Sequence, residues 1–141
     1  MPQSGSDYPA QDPPGTEMAV VAESLYLANL LLIPGIAFII LLVLFRRHQK
    51  TSPPLAQSHL EQTLSASLWA GVLLVVVNLL ILVLGGYGGP YTWMVVIIYF
   101  TVCHSTLILI GMLGLAKALA GKCYHYPLIG RVLPEGCRGM L

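Results

Sequence analysis

Charge is what this chain has least of. Seven Lys and Arg and six Asp and Glu make up 9% of the 141 residues, against about 25% in ordinary soluble domains. No basic residue precedes Arg46. That scarcity excludes a nucleic-acid binder, which needs a basic patch, and a charge-rich disordered protein. Three cysteines are too few for a secreted disulfide scaffold. Carboxylate pairs, a nucleophile beside a base and a phosphate loop are also missing. The glycine-rich run Gly85–Pro90 has no Lys-Ser/Thr to make it a phosphate cradle. No enzymatic activity is expected. What the chain does have is apolar surface: 56% of its residues are hydrophobic and the mean hydropathy is +0.77. A soluble protein this small cannot hide that much, so the composition specifies an integral membrane protein.

A membrane-crossing helix takes ~20 mostly apolar residues. Three segments meet that length, at about residues 25–45, 64–84 and 93–115, and none contains a charged side chain. The expected fold is therefore an all-α integral membrane protein with three transmembrane helices. Arg46, Arg47 and Lys50 follow the first segment, and Lys117, Lys122, Arg131 and Arg138 follow the third. Basic loops face the cytoplasm, which predicts the N-terminus out and the C-terminus in. Asp7, Asp12, Glu17 and Glu23 then fall on the outer side. If the first segment did not span, the N-terminus would move inside.

Residues 1–15 read as a flexible N-terminal tail rich in Pro, Ser, Gln and Gly, residues 16–121 as the transmembrane domain, and residues 122–141 as a cytoplasmic interfacial tail. Thr16 is placed to cap a first helix running through Arg47, kinked at Pro34, whose ring removes a backbone donor. Ser58 and Glu61 have capping-box spacing and predict the start of the second helix. The loop Gly85–Pro90 is short, so the second and third helices are antiparallel neighbours. Tyr26, Tyr87, Tyr91 and Trp93 mark one interface, and Trp69, Tyr124 and Tyr126 the other.

His104, mid-way along the third segment, invites three functional readings: haem ligand, proton relay or substrate contact. Bis-histidine haem ligation needs a second intramembrane histidine, and a relay usually recruits acids within the spans; neither is present. An interhelical hydrogen bond to Asn78, at similar depth, is the simpler reading. Gly111, Gly114, Ala118 and Gly121 share one helical face, suited either to close internal packing or to docking another subunit. Cys123, His125, Cys137, His48 and His59 carry zinc-ligand chemistry, but their spacings match no known finger or ribbon. Cytoplasmic thiols are normally reduced, and Cys103 reads as a small buried hydrophobe. No metal and no cofactor is expected.

Two stretches are more specific. Leading into the second membrane segment stands His59-Leu-Glu-Gln62-Thr-Leu64; after the third comes Gly121-Lys-Cys-Tyr124-His-Tyr126-Pro127. Together they resemble the small bacterial membrane proteins of domain-of-unknown-function family 4870, distantly similar to the chloroplast inner-envelope Tic translocon component. The resemblance covers roughly residues 30–133 and rests on His59, Gln62, Tyr124, Tyr126 and Pro127; an Asn usual after the Gln is Ser65 here. It implies a multi-pass protein of the bacterial inner membrane without an established activity, with both motifs meeting at the cytoplasmic interface and Tyr124 or Tyr126 beside His59. The functional expectation is a non-catalytic subunit or scaffold of a larger assembly, its partners being the lipid bilayer and other membrane subunits or itself. Alternatives are a transport or channel component, as an oligomer, and a haem- or metal-binding protein.

Overall fold

The computed structural model describes residues 11–141; most of the expected N-terminal tail lies outside them. The described residues are all-helical: α1 (Thr16–Leu31), α2 (Ile36–His48), α3 (Pro54–Val83), α4 (Thr92–Ile98), a π-helical stretch Tyr99–His104, α5 (Ser105–Leu119) and a 3-10 turn Glu135–Cys137. Two continuous helices, Pro54–Val83 and Thr92–Leu119, are long and apolar enough to cross a membrane. They match the second and third expected segments, and the loop between them is the one anticipated. Pro54 occupies the first turn of α3, where its missing N–H costs nothing. The helix therefore starts one turn earlier than the Ser58–Glu61 box predicts, and Glu61 accepts a hydrogen bond from Gln57 Nε2 at 3.2 Å instead.

The first expected segment is not one helix. α1 and α2 have 16 and 13 residues, about 24 and 20 Å at 1.5 Å per residue, and the chain reverses between them. The break is chemical. Pro34 cannot donate, the backbone N–H groups of Leu32 and Ile33 both bond the carbonyl of Ala28, and Gly35 takes a left-handed φ of 83° that a side chain would resist. The Gly35 N–H donates to Asn29 Oδ1 at 2.9 Å, so the side chain of α1 caps the start of α2. Ala22, Leu41 and Leu60 form a core with Met18, Leu25, Leu44 and Phe45 around it. Met18 near Leu44 and Phe45, and Ala22 near Leu41, make α1 and α2 an antiparallel hairpin. Its open end meets the start of α3, where Gly15 lies against Pro53 and Ala56.

α1 also runs antiparallel to α5. Gly111 sits against the Tyr26 ring, Gly114 against the Glu23 carboxylate, and Ala118 packs with Ala19. Gly121 (φ 64°) lies against Pro13. The small-residue face of Gly111, Gly114, Ala118 and Gly121 is thus filled by α1 and the residues before it. Thr16 is the first residue of α1, and its hydroxyl donates back to the Pro13 carbonyl at 2.7 Å rather than capping the helix. Core and lipid-type surface are separated along the bundle. Buried side chains concentrate around α1, the first half of α3 and the last half of α5, whereas Val72, Leu74, Val75, Val76, Leu79, Leu82, Val83, Ile97 and Ile98 are exposed. Apolar exposure on that scale is destabilising in water and is what a bilayer accepts.

Candidate functional site

Three elements converge on one carboxylate. Glu23 from α1, His59 from α3 and Tyr126 from the chain after α5 are all fully buried. His59 Nδ1 lies 2.5 Å from Glu23 Oε1, and the Tyr126 hydroxyl donates to Glu23 Oε2. His59 Nε2 is 3.0 Å from the backbone carbonyl of Lys122. A carbonyl only accepts, so Nε2 carries a hydrogen. The contact on the other ring nitrogen then needs one proton between Nδ1 and Oε1, borne by either the imidazole or the carboxyl. With that proton the cluster as a whole is neutral, the form in which a buried charge group is tolerable.

Burial pushes the Glu23 carboxyl above the usual carboxylate range; the His59 bond and charge and the Tyr126 bond pull the other way without overcoming it. Burial, with the Glu23 charge beside it, pushes the Tyr126 hydroxyl far up, so it stays a neutral donor. Gly114 makes room for the carboxylate: a Cβ there would stand 2.5 Å from Oε2. Tyr26 packs edge-on to Tyr126 with ring centroids 5.9 Å apart and donates its hydroxyl to the Leu107 carbonyl at 3.1 Å.

Gln62, one turn further along α3, fastens the same segment. Its Nε2 donates to the Arg131 carbonyl at 2.6 Å, and its Oε1 accepts from the Arg131 N–H at 3.1 Å and the Tyr126 N–H at 3.4 Å. Ser65 donates to the Ile129 carbonyl at 2.7 Å. Tyr124 packs against Tyr126 with the rings tilted at 58° and centroids 5.5 Å apart, and the exposed Pro127 opens the turn beyond it. The motif residues His59, Gln62, Tyr124, Tyr126 and Pro127 thus gather at one end of the bundle, with His59 and Tyr126 joined through Glu23 and Gln62 holding the Tyr126–Arg131 backbone. Glu23 was expected on the opposite side of the membrane from His59; the hairpin brings it back. A lone acid at the edge of an otherwise uncharged segment, one helical turn from Ala19 and from Tyr26, is the sequence signal that marks it.

Other candidates part company. Asn78 Nδ2 donates to the Leu74 carbonyl of its own helix at 2.7 Å, and its Oδ1 accepts from Tyr87 at 2.6 Å. His104 does not meet it. The histidine ends the π-helical stretch, packs against Phe100 at 5.1 Å and lines a groove of about 830 Å³ with Asn29, Gly35, Ser67 and Tyr99. Extra residues in a π-turn rotate side chains away from the face that α-helical spacing assigns. Cys123 and Cys137 form a disulfide, against the expectation of reduced thiols. It closes the tail into a loop whose Cys137 packs with Ala19, Leu55 and Ala118. His48 Nδ1 is directed to the Leu44 carbonyl at 3.2 Å, and His125 is exposed. Among the described residues no three His, Cys, Asp or Glu side chains are grouped to hold a metal ion.

The model of the MamF/MmsF family, the magnetosome magnetite crystal formation proteins, matches residues 16–133. The match runs from the first residue of α1 through the stapled segment after α5. The chain belongs to this family. The resemblance to family 4870 and to the Tic component is thereby corrected: the His-Gln and Tyr-x-Tyr-Pro motifs that suggested it fall inside the MamF/MmsF match and serve here to bind the tail to α3. No curated protein and no solved structure matches the chain.

Proposed function

We propose that this chain is a non-catalytic, membrane-embedded accessory component of magnetite crystal formation at the magnetosome membrane. The family match supplies the process. The observation that carries the accessory role is the use of the Glu23–His59–Tyr126 network: the buried titratable groups bond one another and a backbone carbonyl, tying α1, α3 and the tail together. Its partners are lipid and other membrane chains. Removing the chain from a magnetite-forming cell is expected to leave magnetosome vesicles in place and to change crystal size or shape in electron micrographs, with restoration by the wild-type chain. Unchanged crystals would contradict the proposal. Ion flux through liposomes holding the purified chain alone would favour a channel component instead.

In this reading α3 and the α4–α5 rod cross the membrane, and the α1–α2 hairpin enters and leaves on one side. Both described ends then share a face, and every Lys and Arg lies at that face. Charge bias turns it to the cytoplasm. A second orientation has one observation in its favour: the Cys123–Cys137 disulfide is a bond of oxidising compartments, which would turn the same face toward the vesicle interior. Reaction of the purified vesicles with a membrane-impermeant lysine reagent separates the two.

A further inference from the structure

After α5 the chain turns back. It reverses at Gly121 and climbs beside α3 until the Tyr126 ring packs with Ala66 and Ile110. Ile110 lies nine residues before the end of α5 at Leu119, a climb of about 13 Å at 1.5 Å per residue. At the top is a tight turn, closed by the Gly130 N–H on the Tyr126 carbonyl at 3.1 Å and the Ile129 N–H on the Pro127 carbonyl at 2.8 Å. Leu128 is its apex. The side chain is fully exposed, and its backbone is left-handed at φ 68°, a conformation that favours Gly or Asn and disfavours leucine. Val132, four residues further along the chain, is nearly as exposed, with Lys122 and Arg131 also at the surface.

The depth of this apex is fixed by its bonds. Ser65 and Gln62 hold the turn, and the exposed apolar surface of α3 begins one turn further on, at Leu68 and Trp69. From Val83 back to Leu64 is about 29 Å of helix, close to the ~30 Å of bilayer hydrocarbon. Leu128 therefore sits level with the hydrocarbon boundary, pointing outward.

We propose that the Pro127–Val132 turn is a membrane-inserting element: Leu128 and Val132 enter the acyl boundary, and Arg131 and Lys122 bind anionic lipid headgroups. This rests on the reading that α3 and α4–α5 cross the membrane. The Gln62 latch uses only the backbone of Arg131, so its side chain is free for a headgroup.

The test uses the full chain in phosphatidylcholine–phosphatidylglycerol liposomes. A nitroxide is attached to Leu128→Cys in a Cys103→Ala background, with Cys123 and Cys137 bonded. Labels at Val76→Cys and Gly139→Cys serve as lipid and water references. If the Val76 label is itself not lipid-exposed, the spanning reading has failed. With that reference in place, the label at position 128 is expected to collide several-fold more with oxygen than with a water-soluble nickel chelate. Behaviour like the Gly139 label overturns the proposal. Shielding from both reagents, which would mean a protein partner or a second copy on the turn, overturns it too. Omitting phosphatidylglycerol, or Arg131→Gln, is expected to shift the label toward water; no shift in either overturns the headgroup assignment. Leu128→Asn suits the same backbone and is expected to keep the helicity while making a label at Val132→Cys more accessible to the nickel chelate.

Discussion

The two ends of this molecule are built on opposite terms. At one, four segments meet and Glu23, Ser58, His59, Gln62, Thr63, Ser65 and Ser67 are buried. At the other, α3 and α4 stand as a pair joined by the Gly85–Pro90 loop, and their large side chains are mostly exposed. Hydrophobic burial does little for helix association in lipid, because lipid tails are as apolar as leucine. The described structure answers that at the basic end with hydrogen bonds and close backbone approach over glycine. Polar residues thus mark where the chain is held together, and apolar residues mark where it meets the bilayer.

Substitutions at the two ends should differ sharply. The largest effect is expected from Glu23→Ala. Removing one partner of a buried pair costs about 3–5 kcal/mol, read as lost stability on unfolding in mixed detergent micelles. Tyr126→Phe removes one hydrogen bond to the same carboxylate and should cost about 1.5–3 kcal/mol. Gly114→Ala, whose Cβ would meet the Glu23 carboxylate at 2.5 Å, should cost about 1–3 kcal/mol. Gly71→Ala is its control at the other end: nothing lies within 4 Å of that Cβ, and a change within about 0.5 kcal/mol is expected. Equal losses at Gly114 and Gly71 would break the comparison. Asn78→Val, which removes the exposed bond to Tyr87, should cost only about 0.6 kcal/mol.

The pH dependence follows from the same carboxyl. Its pKa in the folded chain lies above the ordinary value, so its contribution to stability is complete below the unfolded pKa and is lost as pH rises through the folded one. Loss of the shared proton leaves an uncompensated buried anion. Amide exchange at Tyr126 and Arg131, corrected for intrinsic rates, should therefore speed up with rising pH. Glu23→Gln should flatten that dependence; a slope unchanged by Glu23→Gln would assign it elsewhere.

The apolar end was legible in the sequence because lipid exposure is a matter of composition: uncharged runs at Leu68–Leu84 and Trp93–Leu115 and a glycine loop between them leave little choice of structure. The basic end was less so. Pro34 and Gly35 announce a disturbance, but kink and full reversal carry the same local signal. The choice rests on Asn29 capping Gly35 and on the fit of Ala19, Glu23 and Tyr26 against the small-residue face of α5, contacts some 90 residues apart in the chain. The motif residues His59, Gln62 and Tyr126 were visible, but Glu23, the acid that joins His59 to Tyr126, was not, since topology counted from basic loops alone puts Glu23 across the membrane. The disulfide was missed for the same reason: the assigned compartment argued for thiols.

The hairpin is the claim on which the rest depends, and sidedness tests it most directly. Single cysteines at Asp12 and Gly139 in a Cys103→Ala background, reconstituted in sealed vesicles of uniform orientation, can be labelled with an impermeant maleimide from one side only. The hairpin predicts that both positions react from the same side and are protected together from the other. Labelling from opposite sides would restore a third membrane crossing in the first segment and contradict the account.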